Sequence, residues 1–121
     1  MTPTQARAAL DRHLAAHGQD VTIERVSSPS LTVTATVTVR AHVSDFKPQD
    51  IDGASGLQIG DSKLIMSPTE VNAALWPSAY ESRIPRKGDR VTVAGVTRTV
   101  LYGYAAPYIG GELVRIELVI R

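Results

Sequence analysis

Residues 31–43 read Leu31-Thr32-Val33-Thr34-Ala35-Thr36-Val37-Thr38-Val39-Arg40-Ala41-His42-Val43. Leu31, Val33, Ala35, Val37, Val39, Ala41 and Val43 fall on one side of a period-two repeat. Thr32, Thr34, Thr36, Thr38, Arg40 and His42 fall on the other. Successive side chains on a strand point to opposite faces, so this stretch is a strand with one apolar and one polar face. Threonine suits the wet face of a strand. A ligand-binding row is the rarer use of the same residues, and a subunit contact is compatible with either. At ~3.3 Å per residue the strand would run about 43 Å. A chain of 121 residues has a radius of gyration of about 14 Å. The strand must therefore bend around a barrel or carry one end beyond the core.

The same reading extends outward. Asp20 to Val26 alternates as a second strand, joined to the first through the turn Ser27-Ser28-Pro29-Ser30. Asp61 to Ser67 is a short strand. Val91-Thr92-Val93 and Val96 to Leu101 flank Ala94-Gly95 as a hairpin. Glu112 to Arg121 closes the chain with Val114, Ile116, Leu118 and Ile120 on one face. Residues 1–18 form a helix: Thr2 and Gln5 make a capping box, Pro3 suits the first turn, and Gly18 is the stop. Its apolar stripe (Ala6, Leu10, Leu14) is narrow, so it packs lightly or against a neighbour. Ser67 and Glu70 suggest a second capping box, with a short helix from Pro68 to about Leu75, ended at Trp76-Pro77. Residues 44–60 are expected to form a long glycine-containing loop, and such loops are usually functional or mobile. The expected fold is mainly β: a small antiparallel β-barrel or sandwich with an N-terminal helix and one short inserted helix, a single domain over 1–121 with the barrel in 20–121.

Composition narrows the function. The chain is 43% apolar with a net charge of +1, which fits a globular domain and argues against a dedicated polyanion binder. It has no cysteine, which excludes disulfides, thiolate zinc sites and cysteine nucleophiles. The N-terminus lacks the apolar run of a signal peptide, and no stretch approaches the ~20 apolar residues of a membrane span. A soluble protein made in the cytoplasm is expected.

The chemistry-bearing groups are sparse. His13 and His17 share a helix face at metal-ligand spacing, but the ordinary reading is two exposed polar residues. Asp50-Ile51-Asp52-Gly53 resembles the start of a calcium loop without its later ligands. Gly60-Asp61-Ser62 lacks the base and orienting acid of a hydrolase. Arg83, Arg86, Lys87 and Arg90 against Asp89 give four positive charges less one negative, a local +3. This segment either contacts phosphate or an acidic partner, or is a solvated turn. Tyr102, Tyr104 and Tyr108 fall in one loop, Tyr102 to Gly111, suited to an interface or to folding over a barrel end. No enzyme activity, metal or cofactor is expected.

The second half carries a resemblance. A strand (Gly60 to Ser67), a short capped helix, Ile84-Pro85, Gly88-Asp89-Arg90-Val91, Gly95, Val100 and a final alternating strand follow in order. Over roughly residues 59–120 this resembles head–tail joining proteins (head-completion, stopper or adaptor proteins) of long-tailed bacteriophages and gene-transfer-agent particles. Arg98 stands where an aromatic residue would be expected. The resemblance implies a structural protein of the virion neck, assembled in the host cytoplasm: a small β-barrel forming a homo-oligomeric ring. Its partners would be a portal or adaptor above and a tail or tail-terminator protein below, with genomic DNA in the lumen and no membrane. Phe46, Lys47, Ile51 and Leu57 of the long loop, with Tyr102, Tyr104, Tyr108 and Ile109, would then serve subunit or partner contacts. Arg83, Arg86, Lys87 and Arg90 would face DNA or an acidic ring. The alternative is a stand-alone OB-like or SH3-like barrel binding nucleic acid or peptide. One Phe, one Trp and four Tyr give little base-stacking surface for it.

Overall fold

Arg40, in the polar row of the long strand, turns its side chain back onto a helix end. Its guanidinium donates to the carbonyls of Leu14, Ala15 and Gly18 at 3.3, 3.2 and 2.7 Å. The Ala15 carbonyl is one that a helix C-terminus leaves without an intrahelical partner, and that of Leu14 also accepts the Gly18 N–H at 2.8 Å. In this computed structural model, which describes residues 2–27, 30–46, 57–58, 60–105, 108–109 and 112–121 (of 105, 108 and 109 the backbone alone), that helix is α1 (Pro3–His17). Thr2 and Gln5 close the expected capping box, with reciprocal bonds of 3.1 and 2.9 Å. Gly18 ends the helix for a reason other than left-handed backbone, since its φ is −87°. A Cβ there would lie 2.6 Å from the Leu14 carbonyl oxygen and 2.8 Å from that of Ala41. The glycine permits close approach of helix to sheet.

The strands are β1 (Gln19–Ser27), β2 (Thr32–Asp45), β3 (Ser62–Met66), β4 (Arg90–Val93), β5 (Val96–Ala105), β6 (Tyr108–Ile109), β7 (Glu112–Leu113) and β8 (Ile116–Ile120). Six of them close an antiparallel barrel in the order β1-β2-β3-β8-β5-β4, and β4 pairs back onto β1. Of the two expected architectures, the chain adopts the barrel. Among the described residues β6 and β7 pair only with each other.

The inner row of β2 is as the alternation requires over its second half: Val37, Val39 and Ala41 are buried, and Ala35 and Val43 pack against the core. Leu31 and Val33 lie outside it, 62% and 40% exposed. The length problem is resolved in both ways. β2 pairs with β1 from Thr32 to Ala41 and with β3 from Ala41 to Asp45, so it bends between two neighbours. Over Thr32–Arg40 its second edge has no strand beside it among the described residues. A bulge at Arg25/Val26, where Thr34 has no counterpart on β1, sharpens the bend.

Barrel residues Val21, Ile23, Leu64, Met66, Val91, Val100, Ile116, Leu118 and Ile120 form one core with β2, joined by Val71 and Trp76. Val71 belongs to α2 (Pro68–Ala73), shorter than expected. Its capping box does not form: Ser67 Oγ caps the helix through the Thr69 N–H at 3.2 Å, one residue short of Glu70. Glu70 instead accepts the Arg40 main-chain N–H at 2.6 Å, satisfying the open edge of β2. The Ala94-Gly95 turn has φ of 50° and 82°, the double left-handed geometry of a tight hairpin. β5 does not stop at Leu101. A bulge between Val100 and Tyr102 breaks its alternation, and the strand continues to Ala105.

Candidate partner-binding cleft

Arg25 occupies the inward phase of β1, in line with Val21 and Ile23, and is 5% exposed. A buried guanidinium requires partners, and it has three. Its Nε lies 3.0 Å from Asp89 Oδ2 and 2.9 Å from Oδ1. The N–H is directed at Oδ2, so Oδ1 has ionic contact without a directed hydrogen bond. Its Nη1 donates to Glu81 Oε2 at 2.7 Å, and its Cζ lies 5.0 Å from the centre of the Trp76 ring.

Asp89 is placed by the turn that carries the basic segment. Asp89 N–H donates to the Arg86 carbonyl, Arg86 N–H donates to Asp89 Oδ2 at 2.9 Å, and Gly88 sits at φ 95°. Gly88 N–H and the Asp89 carbonyl tie the turn to Val100 of β5. Gly-Asp here is thus a structural pair: the glycine for positive φ, the aspartate as a buried counterion.

Beside this pair opens a cleft of about 450 Å³, lined by Arg25, Glu81, Ser82, Ile84, Pro85, Arg86, Lys87, Tyr102 and Gly103. That volume lies within the ~300–1,000 Å³ of ligand sites. Its wall stands close to β5 because residue 103 is glycine. A Cβ there would fall onto the Pro85 carbonyl oxygen and within 2.6 Å of Leu118 Cδ2.

The basic cluster is divided by the fold. Arg86 and Lys87 are exposed on the cleft and make no salt bridge among the described residues. Arg83 is half-buried, and its Nη1 donates to the carbonyls of Trp76, Ser78 and Glu81 at 3.1, 2.5 and 3.3 Å, bracing the segment that precedes the turn. Arg90 opens β4 opposite Glu24. The local +3 is therefore not one outward patch.

Tyr102 and Tyr104 are strand residues, not loop residues. They pair with Val119 and Glu117 of β8, are 46% and 39% exposed, and stack at 6.2 Å between ring centres. Only Tyr102 reaches the cleft. Burial pushes the Tyr104 hydroxyl above its ordinary pKa, and the Glu117 charge adds to this. Tyr108 and Ile109 pair with Leu113 and Glu112 in the small second sheet. Phe46 and Leu57 are half-buried, away from the cleft lining. Lys47, Ile51 and the Asp50–Gly53 stretch lie outside the described residues.

The remaining candidates resolve structurally. Asp61 is 1% exposed and takes two bonds from Arg121, both 2.9 Å, which hold its carboxyl below the usual range. Ser62 Oγ donates to Asp45 at 2.8 Å and accepts from Arg98 at 2.8 Å. Arg98 also donates to the Gly60 carbonyl, so it braces β5 against β3. His13 and His17 are exposed, with rings 5.0 Å apart, and His42 lies 6.4 Å from His13. No group of three metal-ligating side chains among the described residues is arranged to hold an ion.

Sequence reasoning singled out Arg86, Lys87 and Tyr102, which the fold brings to one cleft, but not Arg25, Glu81 or the buried role of Asp89. The signal was present in part: an arginine in the inward phase of an apolar strand calls for a buried acid. Neither a protein-family model nor a curated protein sequence matches the chain.

Proposed function

We propose that this chain is a structural connector, a ring-forming barrel subunit of the kind that joins head to tail in long-tailed bacteriophages, with DNA passing through the ring and no catalysis of its own. The observation that carries the reading is the outer half of β2. Leu31 is 62% exposed at φ 55°, and Val33 is 40% exposed on a strand whose second edge is open among the described residues. A leucine in left-handed backbone costs about 1–2 kcal/mol relative to the right-handed form. An exposed apolar side chain kept at that cost is accounted for by a contact between subunits. An open edge strand is also a template for pairing with another chain. The order of motifs between residues 59 and 120 supports the same reading.

Electron microscopy of the concentrated protein, with and without a short duplex DNA, tests the proposal. Closed rings whose abundance does not depend on DNA are expected. Monomeric particles that bind the duplex tightly, with affinity falling steeply with salt, would replace the connector by a nucleic-acid module.

A further inference from the structure

We infer that the Arg25–Arg86–Lys87 cleft is a receptor for an acidic side chain of a protein partner, a carboxylate flanked by apolar residues. The inference rests on the connector reading only for where the partner stands. Arg25 commits Nε to Asp89 and Nη1 to Glu81, while Nη2 has no hydrogen-bond partner among the described residues. A 95% buried guanidinium with one free fork position on a cleft is a fixed donor. Arg86 and Lys87 add two cations on the same cleft that make no salt bridge among the described residues. Ile84, Pro85 and the Tyr102 ring supply apolar lining, beside Glu81 and Ser82.

The pattern favours a protein carboxylate over a nucleic-acid backbone. Polyanion recognition uses a basic stripe along the chain of phosphates. Here two free cations and one donor converge on a single pocket, and the exposed Glu81 carboxylate (51% for its side chain) would repel a phosphate track crossing it. A lone carboxylate can sit on the Arg86 side, with its neighbours packed on Pro85 and Tyr102. Because Arg25 is held by Asp89, its donor is oriented before binding, which lowers the ordering cost of the contact.

The test is an NMR titration of the ¹⁵N-labelled protein with capped hexaglutamate, with capped hexaglutamine and oligothymidylate as the other two arms. Hexaglutamate should shift the Arg25 Nε–H and the Lys87, Tyr102 and Gly103 amides saturably, and hexaglutamine should not. The Arg86→Glu/Lys87→Glu variant, altered only at exposed positions, should keep its folded spectrum and lose at least tenfold in affinity. No saturable shift, shifts that persist in the variant, or equal or tighter binding of oligothymidylate at the same resonances would each overturn the inference. Rings that form without hexaglutamate binding would remove the cleft receptor and leave the connector. Hexaglutamate binding by a chain that never assembles would do the reverse.

Discussion

The Nε of Arg25 stands 3.0 Å from Oδ2 of Asp89, joining residues 64 positions apart at 5% and 1% exposure. This pair fastens β1 to the turn before β4 and holds Arg25 in the lining of the cleft. Removing one member of a buried ion pair leaves the other charge uncompensated, at a cost of about 3–5 kcal/mol. Asp89→Ala also deprives the Arg86 N–H of its acceptor. Urea denaturation should show a loss in that range; a loss under about 1 kcal/mol would mean that Glu81 and solvent suffice for Arg25.

Gly103 makes a second prediction. An added methyl would meet the Pro85 carbonyl and the Leu118 side chain, and overpacking of this kind costs about 1–3 kcal/mol. Gly103→Ala should lower the melting temperature and displace the Ile84–Pro85 wall, seen as shifted amide resonances of Ile84, Arg86 and Lys87. A variant with wild-type stability and spectrum would show that the wall does not lie on β5.

The Asp61–Arg121 pair predicts acid sensitivity. Two bonds from Arg121 outweigh the effect of burial and depress the Asp61 pKa below its ordinary 3.8. The native state therefore binds this proton less tightly than the unfolded state. The stability it contributes is present above pH 3.8 and lost as pH falls through the depressed native value. Asp61→Asn should be less stable than wild type at pH 7, with the gap closing under stronger acid. Equal gaps at pH 7 and pH 2 would exclude a charge-dependent contribution.

Glu70 predicts the opposite slope. Burial raises its pKa above 4.5, although the Arg40 N–H it accepts pulls it down. Its favourable contribution is complete below the unfolded value and is lost as pH rises through the raised native one. Glu70→Gln keeps an acceptor for Arg40 and cannot ionise. Its stability relative to wild type should therefore improve between pH 4 and pH 7 in parallel thermal melts. A constant difference would assign the site to hydrogen bonding alone.

How far the sequence carries depends on the range of each interaction. Alternation is local, so β1, the second half of β2 and the hairpin at Ala94-Gly95 were readable from the sequence, as was the capping box at Thr2, whereas Leu31 and Val33 shared the alternation without sharing the core. The end of β5 was not. Its bulge past Val100 broke the alternation, and two tyrosines resembled loop residues when they were paired with β8. The second capping box misled because Glu70 had a stronger claimant in Arg40, 30 residues away. The cleft was half legible. Exposed Arg86 and Lys87 stand out by charge, but Arg25, Glu81 and Asp89 meet only when β1 closes against β4. β8 is buried on both faces, with Lys63 and Arg115 covering Glu117 from neighbouring positions at 2.7 and 3.3 Å, and no pattern within β8 announces that.

The measurement to make is native mass over a concentration series, for wild type and for Leu31→Asn/Val33→Thr. Asparagine suits the left-handed backbone at position 31, and threonine suits an exposed strand, so this variant should fold at least as well as wild type. The connector reading predicts that wild type rises with concentration to a closed oligomer while the variant stays monomeric at unchanged or higher melting temperature. Both proteins remaining monomeric, or both assembling alike, would contradict it.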